Sequence, residues 1–281
     1  MQLQNGSTLT MTDCVIGPNN IVTYAGGGVF NEGGHLTLNR CTVTGNEGTG
    51  SLGGAGVTTA YNDATTTIIN STISGNITNN YGGGVFVGPD SLVSLIHTTV
   101  SGNISNQNYL EEDEERGGGA GIYIEPEGNS ELQIQNSIVA GNNDMTDPAT
   151  AGHEKWPDVY GTVTSLGGNL IGDPTGTTNT WASNDLVGTV DIPIDPKLGT
   201  LAVNTPGVTP TMALLEGSPA IDASPTCEVY IDQRGISRPQ GTTCDIGAYE
   251  LEQAPTTGDL KINKVFEPLT SGFTGTFTIG Y

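Results

Sequence analysis

Apolar and polar residues alternate in short bursts along the first half of this chain, and the bursts recur. L-T-L-N-R-C-T-V-T-G-N (36–46) is followed by T-I-I-N-S-T-I-S-G-N (67–76), V-S-L-I-H-T-T-V-S-G-N (93–103) and L-Q-I-Q-N-S-I-V-A-G-N (132–142). A degenerate copy, L-T-M-T-D-C-V-I-G-P-N (9–19), precedes them. Anchored on Cys14, Cys41, Ser71, Thr98 and Ser137, the copies lie 27, 30, 27 and 39 residues apart. A period in this range marks a stacked-repeat architecture.

Within one copy Leu36, Leu38, Cys41 and Val43 are apolar or small, with threonines between them. That is the period-two pattern of a strand with one buried face. The phase breaks at Asn39-Arg40, which predicts a bend between two short strands. The Gly-Asn that ends each copy reads as a turn, because both residues tolerate left-handed dihedrals. A glycine-rich element then returns: G-G-G-V-F (26–30), G-G-A-G-V (53–57), G-G-G-V-F (82–86) and G-G-G-A-G-I-Y-I (117–124). It reads as a third strand entered through a crowded corner. Three short strands per rung, each pairing with the next copy, predict an all-β parallel β-helix over about residues 5–251. Its inward ladders are Leu9, Leu36, Thr66, Val93, Leu132; Met11, Leu38, Ile68, Leu95, Ile134; and Ile16, Val43, Ile73, Val100, Val139. A β-propeller needs a longer repeat of four strands with aromatic signatures. Aromatics are only 6% of this chain. No segment carries helical periodicity.

Charge narrows the partners. The 281 residues include 30 acidic and 8 basic side chains, for a net charge of −22. Nucleic acid requires a basic footprint, and anionic membrane surfaces repel such a chain. No run approaches the ~18 apolar residues of a transmembrane helix. The start, M-Q-L-Q-N-G-S, has neither a basic n-region nor an apolar h-region. The chain thus opens inside a rung-like pattern, as expected of a fragment or mature form. The first rung would expose a strand edge of the kind that natural solenoids cover.

The four cysteines form two pairs. Cys14 and Cys41 share one inward position on consecutive copies. Stacked neighbours lie near the separation a disulfide allows, but parallel side chains give poor torsion geometry, so two stacked thiols are the favoured reading. Cys227 and Cys244 bracket a polar loop outside the repeats. There a disulfide is expected, and with it an oxidising compartment.

Beyond residue 142 the repeat loosens. Residues 143–166 read as a long irregular insertion, with W-P-D-V-Y-G at 156–161 leading to S-L-G-G-N-L-I-G-D at 165–173. Further short apolar segments follow at 181–189 and 194–201, then L-L-E-G-S-P-A-I-D-A (214–223), D-Q-R-G-I-S-R-P (232–239) and C-D-I-G-A-Y-E (244–250). They read as irregular rungs and a C-terminal cap. The rung motif together with these C-terminal phrases resembles bacterial right-handed parallel β-helix proteins of the pectate-lyase-like superfamily. The similarity is to the choice-of-anchor Q domain type, related to polymorphic outer-membrane-protein repeats. The resemblance covers roughly residues 5–251 and implies a secreted or surface-displayed module of a larger bacterial protein. Residues 252–258 read as a linker. Residues 259–281 alternate again and resemble the opening strands of an immunoglobulin-like domain, or strands that pair with another unit.

Candidate chemistry is sparse. Lyases on this fold hold Ca²⁺ with carboxylates and abstract a proton with Lys or Arg. The rungs offer only Arg40 and Arg116 as cations. Asp13, Arg40, Asn70, His97 and Asn136 share the bend position, a mixed line with one acid. No pair of carboxylates for a glycosidase recurs on a strand face. The run E-E-D-E-E (111–115) reads as a solvated loop. His35, His97 and His153 are scattered, without zinc spacing. The rows Thr42-x-Thr44, Thr72-x-Ser74 and Thr99-x-Ser101 read as outward hydroxyl ladders explained by strand propensity rather than as an ice-binding face. Tyr81, Tyr109, Trp156 and Tyr160 are the candidate glycan contacts. No catalytic residue, metal ligand or cofactor is expected, Ca²⁺ being the one ion such loops would take. The expected function is a non-enzymatic extracellular structural or adhesive module. Its partners would be further copies, neighbouring domains or a glycan. The alternative is a carbohydrate-active enzyme or glycan-binding module.

Overall fold

The computed structural model describes residues 1–18, 21–22, 26–49, 53–105, 118–146, 154–178 and 180–253. Among these the strands are almost all parallel, stacked in a β-solenoid of about five turns, and there is no helix. The first sheet holds Gln2–Gln4, Val29–Glu32, Val57–Ala60, Val85–Val87, Ile122–Ile124 and Val159–Tyr160. The second holds Thr8–Thr12, His35–Asn39, Ala64–Ile69, Ser91–Ile96, Ser130–Gln135 and Val163–Gly167. The third runs through Val15–Ile16, Thr42–Thr44, Thr72–Ser74, Thr99–Ser101, Ile138–Val139, Leu170–Ile171 and Leu186–Val187. A fourth, of two-residue strands, adds Ile21–Val22, Glu47–Gly48, Ile77–Thr78, Ile104–Ser105 and Asn143–Asp144. The three expected strands per rung are present. The fourth follows the Gly-Asn step and is too short to show a sequence period.

The inward ladders stack in the expected register. Leu36 pairs with Leu9 and Thr66, Leu38 with Met11 and Ile68, and Val43 with Ile16 and Ile73. The ladders merge into one apolar core along the axis. Neighbouring rungs lie about 4.8 Å apart, the ordinary spacing of paired strands. At one end Trp181 and Val187 pack on this core; at the other Leu9, Met11 and Cys14 are only partly buried.

Two features of the bend explain why the alternation breaks there. Asp13, Arg40, Asn70, His97 and Asn136 have φ of 51, 53, 45, 46 and 49°. One left-handed residue per rung turns the chain from the second sheet into the third, a conformation Asn and Asp tolerate best. The next residue points inward, and Cys41, Ser71, Thr98 and Ser137 are fully buried. Cys14 and Cys41 are joined by a disulfide across a Cα separation of 4.6 Å, so the favoured reading of two stacked thiols is corrected. That separation lies inside the bonding range.

Residues 143–166 contribute paired strands at Asn143–Asp144 and Val159–Tyr160, so much of the apparent insertion is rung. The phrases at 214–223, 232–239 and 244–250 lie along the flank of the solenoid, on the outer face of the third sheet. This strap reaches back to the second rung, where the Thr209 hydroxyl donates to the Arg40 carbonyl at 3.1 Å and the Thr42 hydroxyl donates to the Pro210 carbonyl at 2.6 Å. On the next rung Thr72 donates to Gln233 Oε1 at 2.7 Å. On the fourth the Ala248 amide donates to Thr99 Oγ1 at 3.0 Å. A second apolar cluster, Ile138, Leu170, Leu214, Ala220 and Ile246, seals this junction. Of the hydroxyl rows expected to face outward, all but Thr44 are therefore buried: Thr42 and Thr72 are at 0% exposure and Thr99 at 2%, while Thr44 is half-buried. Strand propensity placed them in the sheet, and the strap covers them. Cys227 and Cys244 are joined within the strap, with a Cα separation of 5.7 Å.

Candidate functional site

The recurring asparagine does not act as a turn residue. Gly45, Gly75, Gly102 and Gly141 take the positive φ of 63, 69, 71 and 71°. The asparagine after each points inward. Asn46 Nδ2 donates to Asn76 Oδ1 at 2.9 Å, Asn76 to Asn103 at 3.0 Å and Asn103 to Asn142 at 2.9 Å. The second Nδ2 hydrogen of each donates to a carbonyl one rung back, at Ile16, Val43, Ile73 and Val100. Oδ1 of Asn76, Asn103 and Asn142 also accepts the backbone amide of the asparagine one rung earlier. Sequence reasoning missed this ladder, although a second motif signalled it. Gly28, Gly56, Gly84 and Gly121 face the asparagine amides and the next rung's carbonyls so closely that a Cβ would collide at each. The glycine-rich corners and the Gly-Asn steps are two sides of one packing arrangement.

The ladder ends on a carboxylate. Asp158 Oδ1 accepts Asn142 Nδ2 at 2.9 Å and the Asn142 amide at 3.1 Å, and Oδ2 accepts the Asp173 amide at 2.8 Å. Every side-chain amide in the row points its donor end toward Asp158, so the aligned dipoles favour negative charge there. Burial works the other way and pushes this carboxyl up to about 6, against the hydrogen bonds from Asn142 and Asp173. Asp158 lines an open groove of about 420 Å³ with Asn142, Asp173 and Asp195.

The candidate glycan contacts turn their rings toward one another. Tyr123, fully buried, stacks on Tyr81 with centroids 4.7 Å apart and on Tyr160 at 4.8 Å. Tyr160 in turn stacks on Trp156 at 4.0 Å, and Trp156 is buried. Successive rungs thus supply a column of rings, not a free aromatic platform. Tyr160 also lines an open groove of about 310 Å³ with Glu125, Asn129, Ser130, Thr162 and Thr178. Tyr109, the acidic run 111–115, Arg116, His153 and the strands expected at 259–281 lie outside the described residues.

The bend row is divided by the strap. Asp13 and Arg40 remain outside it as a bidentate ion pair, both bonds 2.7 Å. That pair holds the Asp13 carboxyl below its usual range and raises the Arg40 guanidinium. Asn70, His97 and Asn136 are covered. Above them lies a buried charge cluster from the two C-terminal phrases. Arg238 Nη1 donates to Glu250 Oε2 at 2.8 Å, and Arg234 Nε donates to Asp232 Oδ2 at 2.9 Å. Arg234 also covers the Tyr249 ring at 3.6 Å. Glu250 accepts the amides of Asp245 and Gln240, and Asp232 Oδ2 accepts the amide of Glu250. Burial pushes the Asp245 carboxyl up to about 6 and lowers the Arg238 guanidinium. Burial and the Arg238 charge push His97 down to about 3. The cluster tethers the strap to itself with charge-assisted bonds.

Among the described residues no three His, Cys, Asp or Glu side chains gather as a metal site, and no helix is long and apolar enough to cross a membrane. Comparison with protein-family models, curated proteins and solved structures finds no match to this chain.

Proposed function

We propose that this chain is a non-enzymatic structural or adhesive module, displayed outside the cell by a larger bacterial surface protein. One observation carries the reading. The polar and aromatic residues that recur along the chain are engaged with their own copies: the asparagines in a ladder, the rings in a column, the threonines beneath the strap. Repetition here builds a stiff rod. The two disulfides support an oxidising, extracytoplasmic setting. The test is a screen of the purified chain against neutral and acidic polysaccharides with and without Ca²⁺, following unsaturated product absorbance and binding together. No turnover is expected with any of them; turnover overturns the reading.

A second reading, glycan binding, rests on the groove beside Tyr160. Its lining mixes one ring with the amide, hydroxyl and carboxylate groups of Asn129, Thr162, Thr178 and Glu125. Such a mixture suits a neutral sugar. In the same screen, binding abolished by Asn129→Ala and Thr162→Ala would establish this reading. Binding that survives both substitutions would remove the groove from it.

A further inference from the structure

The outer faces of the solenoid are not alike. On the first sheet the outward Phe86 and Tyr123 are buried in the ring column, and on the third sheet the threonines lie under the strap. The outward residues of the second sheet are all exposed or half-buried, from Thr8 on the first strand to Thr164 on the sixth. The register holds them in columns. His35, Thr65, Leu92 and Glu131 follow one another in the first. Asn39, Ile69, Ile96 and Gln135 follow one another in the third, with a column of mostly hydroxyl residues between.

Charge makes this face unusual. The chain carries a net −22, yet the outward positions of these strands hold one carboxylate, Glu131, and one histidine, His35. Two copies repel each other over a surface so rich in acid, and they meet least repulsion here. Both polar ends are half used. His35 Nδ1 is bonded to Thr65 Oγ1 at 2.8 Å, which leaves Nε2. Glu131 Oε1 accepts Gln133 Nε2 at 2.9 Å, which leaves Oε2.

The face is also complementary to itself. A two-fold axis parallel to the strands, passing between the third and fourth, reverses the order of the rungs and keeps the columns. The second rung then lies on the fifth of the other copy, and the third on the fourth. His35 faces Glu131, Asn39 faces Gln135, and Ile69 faces Ile96, each contact made twice as an isologous interface requires. An axis along the solenoid would exchange the outer columns instead and set His35 on Asn39 and Glu131 on Gln135, with no charge paired. Six rungs about 4.8 Å apart and three columns about 6.7 Å apart make a patch of roughly 600 Å² per copy. Counted over both copies, that is the low end of specific interfaces. At the rim the exposed Asp63 and Asp90, in the turns that enter the third and fourth strands, come opposite each other. Glu228, which accepts Gln135 Nε2 at 3.0 Å, comes level with the rung of Arg40.

We propose that the outer face of the second sheet is a self-association surface, on which a second copy of this chain docks with its rungs running the opposite way. The association is weak, in keeping with the area, and salt strengthens it by screening the rim carboxylates.

Sedimentation velocity of the full oxidised chain, over a concentration series at low and at moderate salt, tests this. A monomer–dimer equilibrium that tightens with salt is expected. Ile96→Glu, with its fold checked by circular dichroism, sets two acids at the centre of the patch and should raise the dissociation constant at least tenfold. Glu131→Lys should weaken the dimer, and adding His35→Glu to it should restore the parent value, because the pair is exchanged rather than removed. A chain that stays monomeric in all conditions would overturn the proposal. So would a dimer indifferent to Ile96→Glu, which would use another face, or a charge exchange without rescue, which would break the two-fold register. A monomer that loses polysaccharide binding on Ile96→Glu would give the face to a glycan and overturn the second copy as its occupant.

Discussion

Asn103 sits in the middle of the asparagine ladder and is fully buried, which makes its replacement the most informative single perturbation. Its Oδ1 accepts the Asn76 amide at 3.1 Å and Asn76 Nδ2 at 3.0 Å. Its Nδ2 donates to the Ile73 carbonyl at 3.0 Å and to Asn142 Oδ1 at 2.9 Å. Asn103→Leu keeps the bulk and removes all four bonds. Two donors on Asn76 are then left buried with no acceptor, each costing ~1–3 kcal/mol. The expected loss is about 4 kcal/mol, at the upper end for one substitution. Asn103→Ala should cost at least as much, since it adds a small cavity. Thr67→Ala, on the outward face of the second sheet, should stay within about 0.5 kcal/mol. Urea denaturation of the oxidised chain by far-UV circular dichroism, with midpoint and slope compared across the three variants, measures these values. An Asn103→Leu cost below about 1 kcal/mol would refute the reasoning, because it would mean the ladder bonds exchange freely with water.

Stability should fall as pH rises from about 4 to about 6. The folded-state affinity of Asp158 and Asp245 for a proton is raised to about 6, so the unfolded chain ionises first and is favoured across that window. For Asp158 the shift corresponds to about 3 kcal/mol, and Asp158→Asn should flatten the decline by a comparable amount in urea titrations at stepped pH. Asp13, held low by Arg40, acts with the opposite sign and only below pH 4. Arg238→Ala should cost about 3–5 kcal/mol, because it leaves Glu250 buried without its cation; limited proteolysis should cut first within residues 204–253. Replacing Cys227 and Cys244 by serine should cost about 3 kcal/mol through the 17-residue loop they close, and mass spectrometry of the parent chain should find both disulfides formed.

The solenoid was legible because its core obeys one rule repeated: Leu36, Leu38 and Val43 have counterparts on every rung, and a period-two pattern assigns them to one face. The strap was not, because its partners are far away in sequence. Thr72 and Gln233 are 161 residues apart, and nothing local in a T-x-S strand tells an open face from a covered one. The same limit applies to D-Q-R-G-I-S-R-P, whose charges read as a polar loop until Arg238 is seen buried against Glu250. The asparagine ladder failed for a different reason. Gly-Asn is a good turn signal taken alone, and only the glycine column at Gly28, Gly56, Gly84 and Gly121 reveals that the asparagine fills the space a side chain would need. The aromatic candidates were chosen by position, Tyr81 before a glycine corner and Trp156 and Tyr160 in the irregular stretch after residue 142, and position along the chain does not tell which ring faces are stacked; Tyr160 and Trp156 stack on each other.

Native-state hydrogen exchange tests the central claim most directly, since it asks whether the recurring polar residues hold the rod together. The amides of Asn46, Asn76, Asn103 and Asn142 donate to side-chain oxygens inside the solenoid, and those of Gly247 and Ala248 bind the strap to it. If ladder and strap are structural, all six exchange in the slowest class, alongside the core amides of the second sheet and only through global opening. Fast exchange at the asparagine amides, with the second sheet still protected, would contradict the account.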